Sequence, residues 1–175
     1  MQNNFSYPLK PEDIGSAPLH YDFQAEAAEL KVITEILRLP EVLSLAISED
    51  VKYNKAEHLI EVKGKIDALV EQISVISLKK FKQRYKFYFA RVFDTRLTLA
   101  QQRELENFDD ISVDIPDVMI NGKIDLKEIA LEELALHLDD FPKQKGEVFT
   151  FTPDFSTDED KPNNPFAVLE NLKKL

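Results

Sequence analysis

Glu57-His-Leu-Ile-Glu-Val-Lys-Gly-Lys-Ile-Asp-Ala-Leu-Val-Glu71 is the stretch that decides the fold. Ile60, Val62, Ile66, Ala68 and Val70 fall on one parity, and Glu61, Lys63, Lys65, Asp67 and Glu71 on the other. Such alternation defines a strand from Glu57 to about Val70 with one buried and one wet face. Val42 to Val51 reads as its antiparallel partner across a turn at Lys52-Tyr-Asn-Lys55, and Arg84 to Phe93 as the next strand. After Glu71-Gln72 the apolar parity moves to Ile73 and Val75, which predicts a β-bulge or bend there and a curled sheet.

Upstream, Pro8, Pro11, Gly15 and Pro18 confine residues 5–23 to irregular or edge-strand structure. A helix is expected from about Gln24 to Arg38, with Leu30, Ile33 and Leu37 on one stripe and Pro40 ending it. Downstream, Leu99 to Glu106 reads as a short helix and Val113 to Met119 as a short strand. Asp125 and Glu128 stand at N-cap and N3 spacing before a second principal helix running to about Leu138. Its large apolar residues form two groups, Leu131, Leu134 and Leu138, and Leu126, Ile129 and Leu136, as in a helix buried on two sides. Beyond Phe141 the charged run Asp158-Glu-Asp-Lys161 and weak periodicity indicate an extended tail.

The 175 residues, 43% apolar, suffice for one core. The expected architecture is α+β: a curved antiparallel β-sheet with two principal helices, in a single domain over residues 1–150, followed by a tail over 151–175. No apolar run is long enough for a membrane span, and the N-terminus lacks a signal-peptide pattern, so a cytoplasmic location is expected. The absence of cysteine excludes disulfides and thiolate chemistry. The net charge of −10 is unevenly placed: residues 1–100 carry 14 acidic and 14 Lys/Arg side chains, and residues 101–175 carry 18 against 8. A field of that sign favours basic partners and leaves nucleic acid to a local basic patch.

One such patch is legible in Lys79-Lys-Phe-Lys-Gln-Arg-Tyr-Lys-Phe-Tyr-Phe-Ala-Arg91. At a period of two, Lys80, Lys82, Arg84 and Lys86 share one face of the strand, and Phe81, Tyr85, Phe87 and Phe89 share the other. Together with Arg91, these cations are candidates for contacts to RNA phosphates or to a protein partner. The competing reading is a solvated edge whose lysines block aggregation or pair with nearby acids. Catalytic signals are weak. His20, His58 and His137 lack ligand spacing, the pairs Glu132-Glu133 and Asp139-Asp140 read as surface charges, and neither a Gly-rich phosphate loop nor a nucleophile elbow is present. No metal or cofactor is expected.

Three blocks carry a family resemblance: Val62-Lys-Gly-Lys-Ile; Gly122-Lys-Ile-Asp-Leu followed by Glu132-Glu-Leu-Ala-Leu; and Asn164-Pro-Phe-Ala-Val-Leu. In this order they resemble the YceD family of large-subunit ribosomal RNA accumulation proteins. Gly122, Ile124, Asp125, Leu126, Glu133, Asn164, Pro165 and Phe166 are the positions that match its pattern. Where many members carry Cys-x-x-Cys, this chain has Ser74-Val-Ile-Ser77, so a metal or redox role does not carry over. The resemblance implies a non-enzymatic ribosome-biogenesis factor that binds a ribosomal protein or large-subunit rRNA, without membrane or DNA. The residues themselves also allow a module that holds an apolar or acyl ligand in a curled-sheet pocket. A carboxylate-dependent hydrolase is a third reading. A further expectation is that Phe166, Val168, Leu169 and Leu172 dock on the second apolar face of the helix at 125–138.

Overall fold

The computed structural model describes residues 5–15, 17–106 and 115–150. Eleven elements follow in order: β1 (Pro8–Leu9), a 3-10 turn (Pro11–Asp13), β2 (Leu19–Gln24), α1 (Ala27–Leu37), β3 (Glu41–Asn54), β4 (Leu59–Ile73), β5 (Lys80–Asp94), α2 (Leu99–Glu106), β6 (Asp117–Val118), β7 (Ile124–Asp125) and α3 (Leu126–His137). The fold is α+β. Five strands form one sheet in the order β2-β3-β4-β5-β6, and β1 pairs with β7 in a second, two-stranded sheet.

Two features of the expected sheet are corrected. It is mixed rather than antiparallel throughout, because Phe93 and Asp94 of β5 pair in parallel with Asp117 and Val118 of β6. Nor is it strongly curled. The bulge expected after Gln72 is absent, and β4 pairs with β5 without a slip from Leu59↔Asp94 to Ile73↔Lys80. The one irregularity between β3 and β4 falls instead at Val42/Ser44. Polar residues hold the parity that apolar ones abandon. Gln72 and Ser74 stay buried because each finds a partner, Gln72 accepting from the Tyr85 hydroxyl at 2.8 Å, while Ile73 and Val75 turn outward.

The first helix begins at Ala27, later than its composition suggests, because Gln24 is held in β2 opposite Ala46 and the Ala25 amide donates to Leu45 O at 2.9 Å. It ends where Arg38 turns left-handed (φ 53°) and the Leu39 amide donates to Thr34 O, with Pro40 beyond. Among the described residues α1 and α3 are the two longer helices, and the short α2 matches its expected span, Leu99–Glu106.

Burial along β4 alternates without exception from Leu59 to Gln72. Its inward residues Ile60, Val62, Ile66, Ala68 and Val70 join Leu45, Ile47 and Val51 of β3, Phe89 and Phe93 of β5, Ile33 of α1, and Leu126 and Leu134 of α3 in one core cluster. Each such aliphatic side chain contributes about 1.5–3 kcal/mol by leaving water. Lys127 of α3 joins Glu29 of α1 and lies 4.9 Å from the Phe5 ring centroid, so α1 and α3 share the inner side of the sheet. Burial disfavours the Glu29 carboxylate, yet the Lys127 hydrogen bond, the Glu26 amide and the Lys127 charge together outweigh it and hold the pKa below its usual range.

Gly64 sits in β4 directly opposite Phe89, and a Cβ built on it would enter the Phe89 ring. Glycine is required there by close approach. Gly64→Ala should destabilise the protein by about 1–3 kcal/mol, and adding Phe89→Leu should reduce that loss. Chemical denaturation of both single variants and the double variant checks this; simple additivity would reject the packing argument.

Glu49 of β3 is fully buried, and neither of its carboxylate oxygens has a hydrogen-bond partner among the described residues. Burial, helped by the nearby charge of Asp125, raises its pKa to about 8. The folded state therefore keeps a proton that the unfolded chain releases near the ordinary glutamate value. Stability contributed by this group is whole below that value, is lost as pH rises towards about 8, and is level beyond. A thermal-denaturation series from pH 5 to 9 should show this decline in the native chain and a flatter profile for Glu49→Gln. Equal slopes would count against a neutral Glu49.

Candidate functional site

The two longer helices, α1 and α3, pack against the inner side of the sheet, and the outward residues of β4 and β5 form a face on which none is buried. Register fixes its rows. Asp22, Ser48, Lys65 and Tyr88 lie side by side across β2 to β5, as do His20, Asp50, Lys63 and Ala90 in the neighbouring row.

Lys80, Lys82, Arg84 and Lys86 line one face of β5 as expected, and all are exposed. Much of their charge is matched. Arg84 donates two hydrogen bonds to Asp67, at 2.7 and 2.8 Å, and Lys86 stands 3.8 Å from the same carboxylate. The Arg84 bond holds the Asp67 carboxyl below its usual range and raises the guanidinium pKa in turn. Lys80 pairs with Glu71 at 2.7 Å, its pKa raised by that hydrogen bond. Lys82 and Lys65 make no ion pair among the described residues. The acids that pair with Lys80, Arg84 and Lys86 lie one strand away, on β4.

Arg91 belongs elsewhere. Its odd number in β5 turns it away from the other four cations and towards α3, where its guanidinium meets Asp117 at 2.6 Å, Glu133 at 3.1 Å and Glu132 at 3.5 Å. Burial works against its charge, but the bonds to Asp117 and Glu133 outweigh that and raise its pKa above the ordinary value. Glu133 is consequently buried, which corrects its reading as a surface charge. Glu132 stays more exposed, and partial burial raises its carboxyl pKa.

The family-pattern block explains itself in structural terms. Asn121 (φ 53°) and Gly122 (φ 71°) occupy the centre of a tight turn closed by the Ile120–Lys123 bridge, which requires two left-handed residues. Ile124 and Leu126 are core. Asp125 caps α3 by accepting from the Glu128 amide at 3.1 Å, and it also accepts from the Tyr7 amide at 2.8 Å and from the Ser6 hydroxyl. One carboxylate thus ends a helix and ties down the N-terminal segment. Asn164, Pro165, Phe166 and the expected docking of residues 166–172 lie outside the described residues. The face meant to receive that docking is only partly as expected, since Leu136 is 76% exposed while Ala130 takes an inward place beside Leu134.

Turn and anchor meet at Ser74-Val-Ile-Ser77. The Ser74 hydroxyl accepts from the Ile76 and Ser77 amides at 3.1 and 3.2 Å and donates to Glu147, while the Val75 amide donates to Pro142 O at 2.9 Å. Hydrogen bonds from Ser74 and then Ser77 hold the Glu147 carboxyl below its usual range. Hydroxyls and a carboxylate therefore fasten residues 142–147 to the β4–β5 hairpin. Between α3 and this clasp, His137 stacks on Phe87 with centroids 3.6 Å apart, and the Tyr85 hydroxyl accepts from the Asp139 amide at 3.3 Å. The half-buried aromatics of β5 are covered in this way.

His20 bridges Asp50 at 2.8 Å and Asp22 at 3.1 Å, and those bonds raise its pKa, the Asp50 bond most. Among the described residues no cluster of His, Asp or Glu could hold a metal ion, and no helix is long and apolar enough to cross a membrane. Beneath the sheet, Phe5, Ile14, Leu45, Leu126 and Leu134 fill the space that an enclosed apolar ligand would need. Beside Arg91 an open cleft of about 380 Å³ gathers Asp117, Asp125, Glu128 and Glu132, but Asp117 and Asp125 are engaged in the bonds described above.

The α+β scaffold thus carries its two longer helices on one side of the sheet and a charged face, which no described helix covers, on the other. The chain belongs to the YceD family: the family model described as "Large ribosomal RNA subunit accumulation protein YceD" matches residues 62–173, more than half of the sequence. The match begins within β4, so β2, α1 and β3 lie before it. Neither the curated proteins nor the solved structures show a significant match.

Arg91→Ala should cost about 2–4 kcal/mol, because Glu133 is left buried beside Asp117 without its counter-charge, and adding Glu133→Gln should recover part of the loss. Urea denaturation checks both; a change below about 0.5 kcal/mol would show that the network is dispensable.

Proposed function

We propose that this chain is a non-enzymatic factor in the accumulation of large-subunit rRNA, acting in the cytoplasm by binding rRNA or a ribosomal protein through the uncovered face of its sheet. Family membership supports the process. The observation that carries the surface is that Lys63, Lys65, Lys80, Lys82, Arg84 and Lys86 all project from β4 and β5 on the side that no described helix covers.

Charge distribution supports the same reading. The acidic excess is confined to residues 101–175, whereas this face is built from the balanced first hundred residues. Cations in a strand repeat about every 6.6–6.8 Å at alternate positions, a spacing suited to successive groups along an extended polyanion. The exposed ion pairs with Asp67 and Glu71 are individually weak, so a polyanion can take over their cations at small cost.

Affinity capture of the tagged protein from its own cells, at low and moderate salt, tests the reading. Large-subunit rRNA or ribosomal proteins should be recovered at low salt and fall away as salt rises. Changing Lys80, Lys82, Arg84 and Lys86 together to Glu should abolish that recovery without unfolding the chain. Undiminished recovery by the quadruple variant would move the interface off this face.

A further inference from the structure

We propose that Tyr88 is a stacking platform for an unpaired RNA base, flanked by Lys65, Lys63 and Lys86 as phosphate contacts, so that the ligand of the open face is single-stranded RNA. This rests on the reading of that face as the binding surface. Tyr88 stands where the alternation of β5 calls for a charged or polar residue, and it is 77% exposed. It contributes little to the core. Its two chain neighbours, Phe87 and Phe89, point inward and carry the packing.

The surroundings fit a base. Lys65 lies directly across the β4–β5 ladder, with its ammonium 5.8 Å from the Tyr88 ring centroid. The small residues Ser48 and Ala90 leave a shallow depression of about 550 Å³ beside the ring, edged by Lys63 and Asp50. Lys86 is two residues from Tyr88 on the same face, and its nearest carboxylate, Asp67, is already bound bidentately by Arg84. An aromatic ring standing among cations offers an acidic peptide only its weaker half, because a carboxylate gains nothing from the ring. A nucleotide uses both parts: the base stacks, tolerantly of sequence, and the phosphates meet the lysines. Duplex RNA keeps its bases stacked inside and leaves the ring unused.

Fluorescence anisotropy of the full chain with labelled RNA of about ten nucleotides, unpaired or annealed into duplex, tests this. Unpaired RNA should bind more tightly than duplex. Tyr88→Ala should weaken it about 10-fold or more while leaving the salt dependence unchanged, and Tyr88→Phe should retain the affinity. The chain has no tryptophan, so Tyr88→Trp supplies a reporter whose emission should be quenched by unpaired RNA. Circular dichroism of each variant verifies the fold. If unpaired RNA binds equally well to Tyr88→Ala but not to the quadruple Glu variant, the stacking platform is wrong and the open face stands. Equal affinity for duplex would also overturn the platform. Failure of the native chain to bind any RNA would overturn the platform and remove RNA as the partner of the face.

Discussion

Most inward side chains of β3, β4 and β5 are apolar and must leave water, and the described helices meet this need on one side only. The three strands are long and pair antiparallel almost throughout their length, so their inward residues make a continuous sheet of Val, Ile, Leu and Phe. Both longer helices are spent covering it. The rest is arranged around that layer: β1 pairs with β7 just before α3, the segment after α3 covers Tyr85 and Phe87, and no described helix covers the reverse of the sheet. Among the described residues Glu49 lies within the covered layer with no hydrogen-bond partner for its carboxylate, and burial raises its pKa.

Charge is used in two different ways on the two sides of β5. Inward, Arg91 is held by Asp117, Glu132 and Glu133, and its role is to join the strand, β6 and α3. In a mostly buried setting such a network specifies an arrangement more than it adds net stability. Outward, the pairs of Arg84 and Lys80 with Asp67 and Glu71 are solvent-exposed on at least the cationic side and exchange readily with other anions. A row of cations alone would have been ambiguous; the tie of Arg91 to α3 separates the structural cation from those that remain at the surface.

The family-pattern residues among those described serve the fold. Asn121 and Gly122 make a turn, Asp125 caps a helix and holds the N-terminal segment, Ile124 and Leu126 are packed, and Glu133 answers Arg91. Ser74 and Ser77 stand where many relatives are expected to have cysteines, and they fasten the hairpin to Glu147 through hydrogen bonds. The clasp joins parts of the chain 73 residues apart.

Local pattern was sufficient for what depends on neighbours along the chain. The period-two alternation of β4, the α2 span, the N-cap at Asp125 and the sidedness of Lys80 to Lys86 are all legible, because each is a matter of spacing along one element. The bulge was misplaced because Gln72 and Ser74 look wet in sequence and are buried only by partners 13 and 73 residues away. Glu133 was misread for the same reason, its partner Arg91 lying 42 residues distant on another element. By itself, then, the sequence determined the elements, the alternating faces and the location of the acidic excess. Only the tertiary structure decided that both longer helices cover the same face, which cation is tied to α3, and that Tyr88 is left standing in the open, because these depend on which distant groups come within a few ångströms.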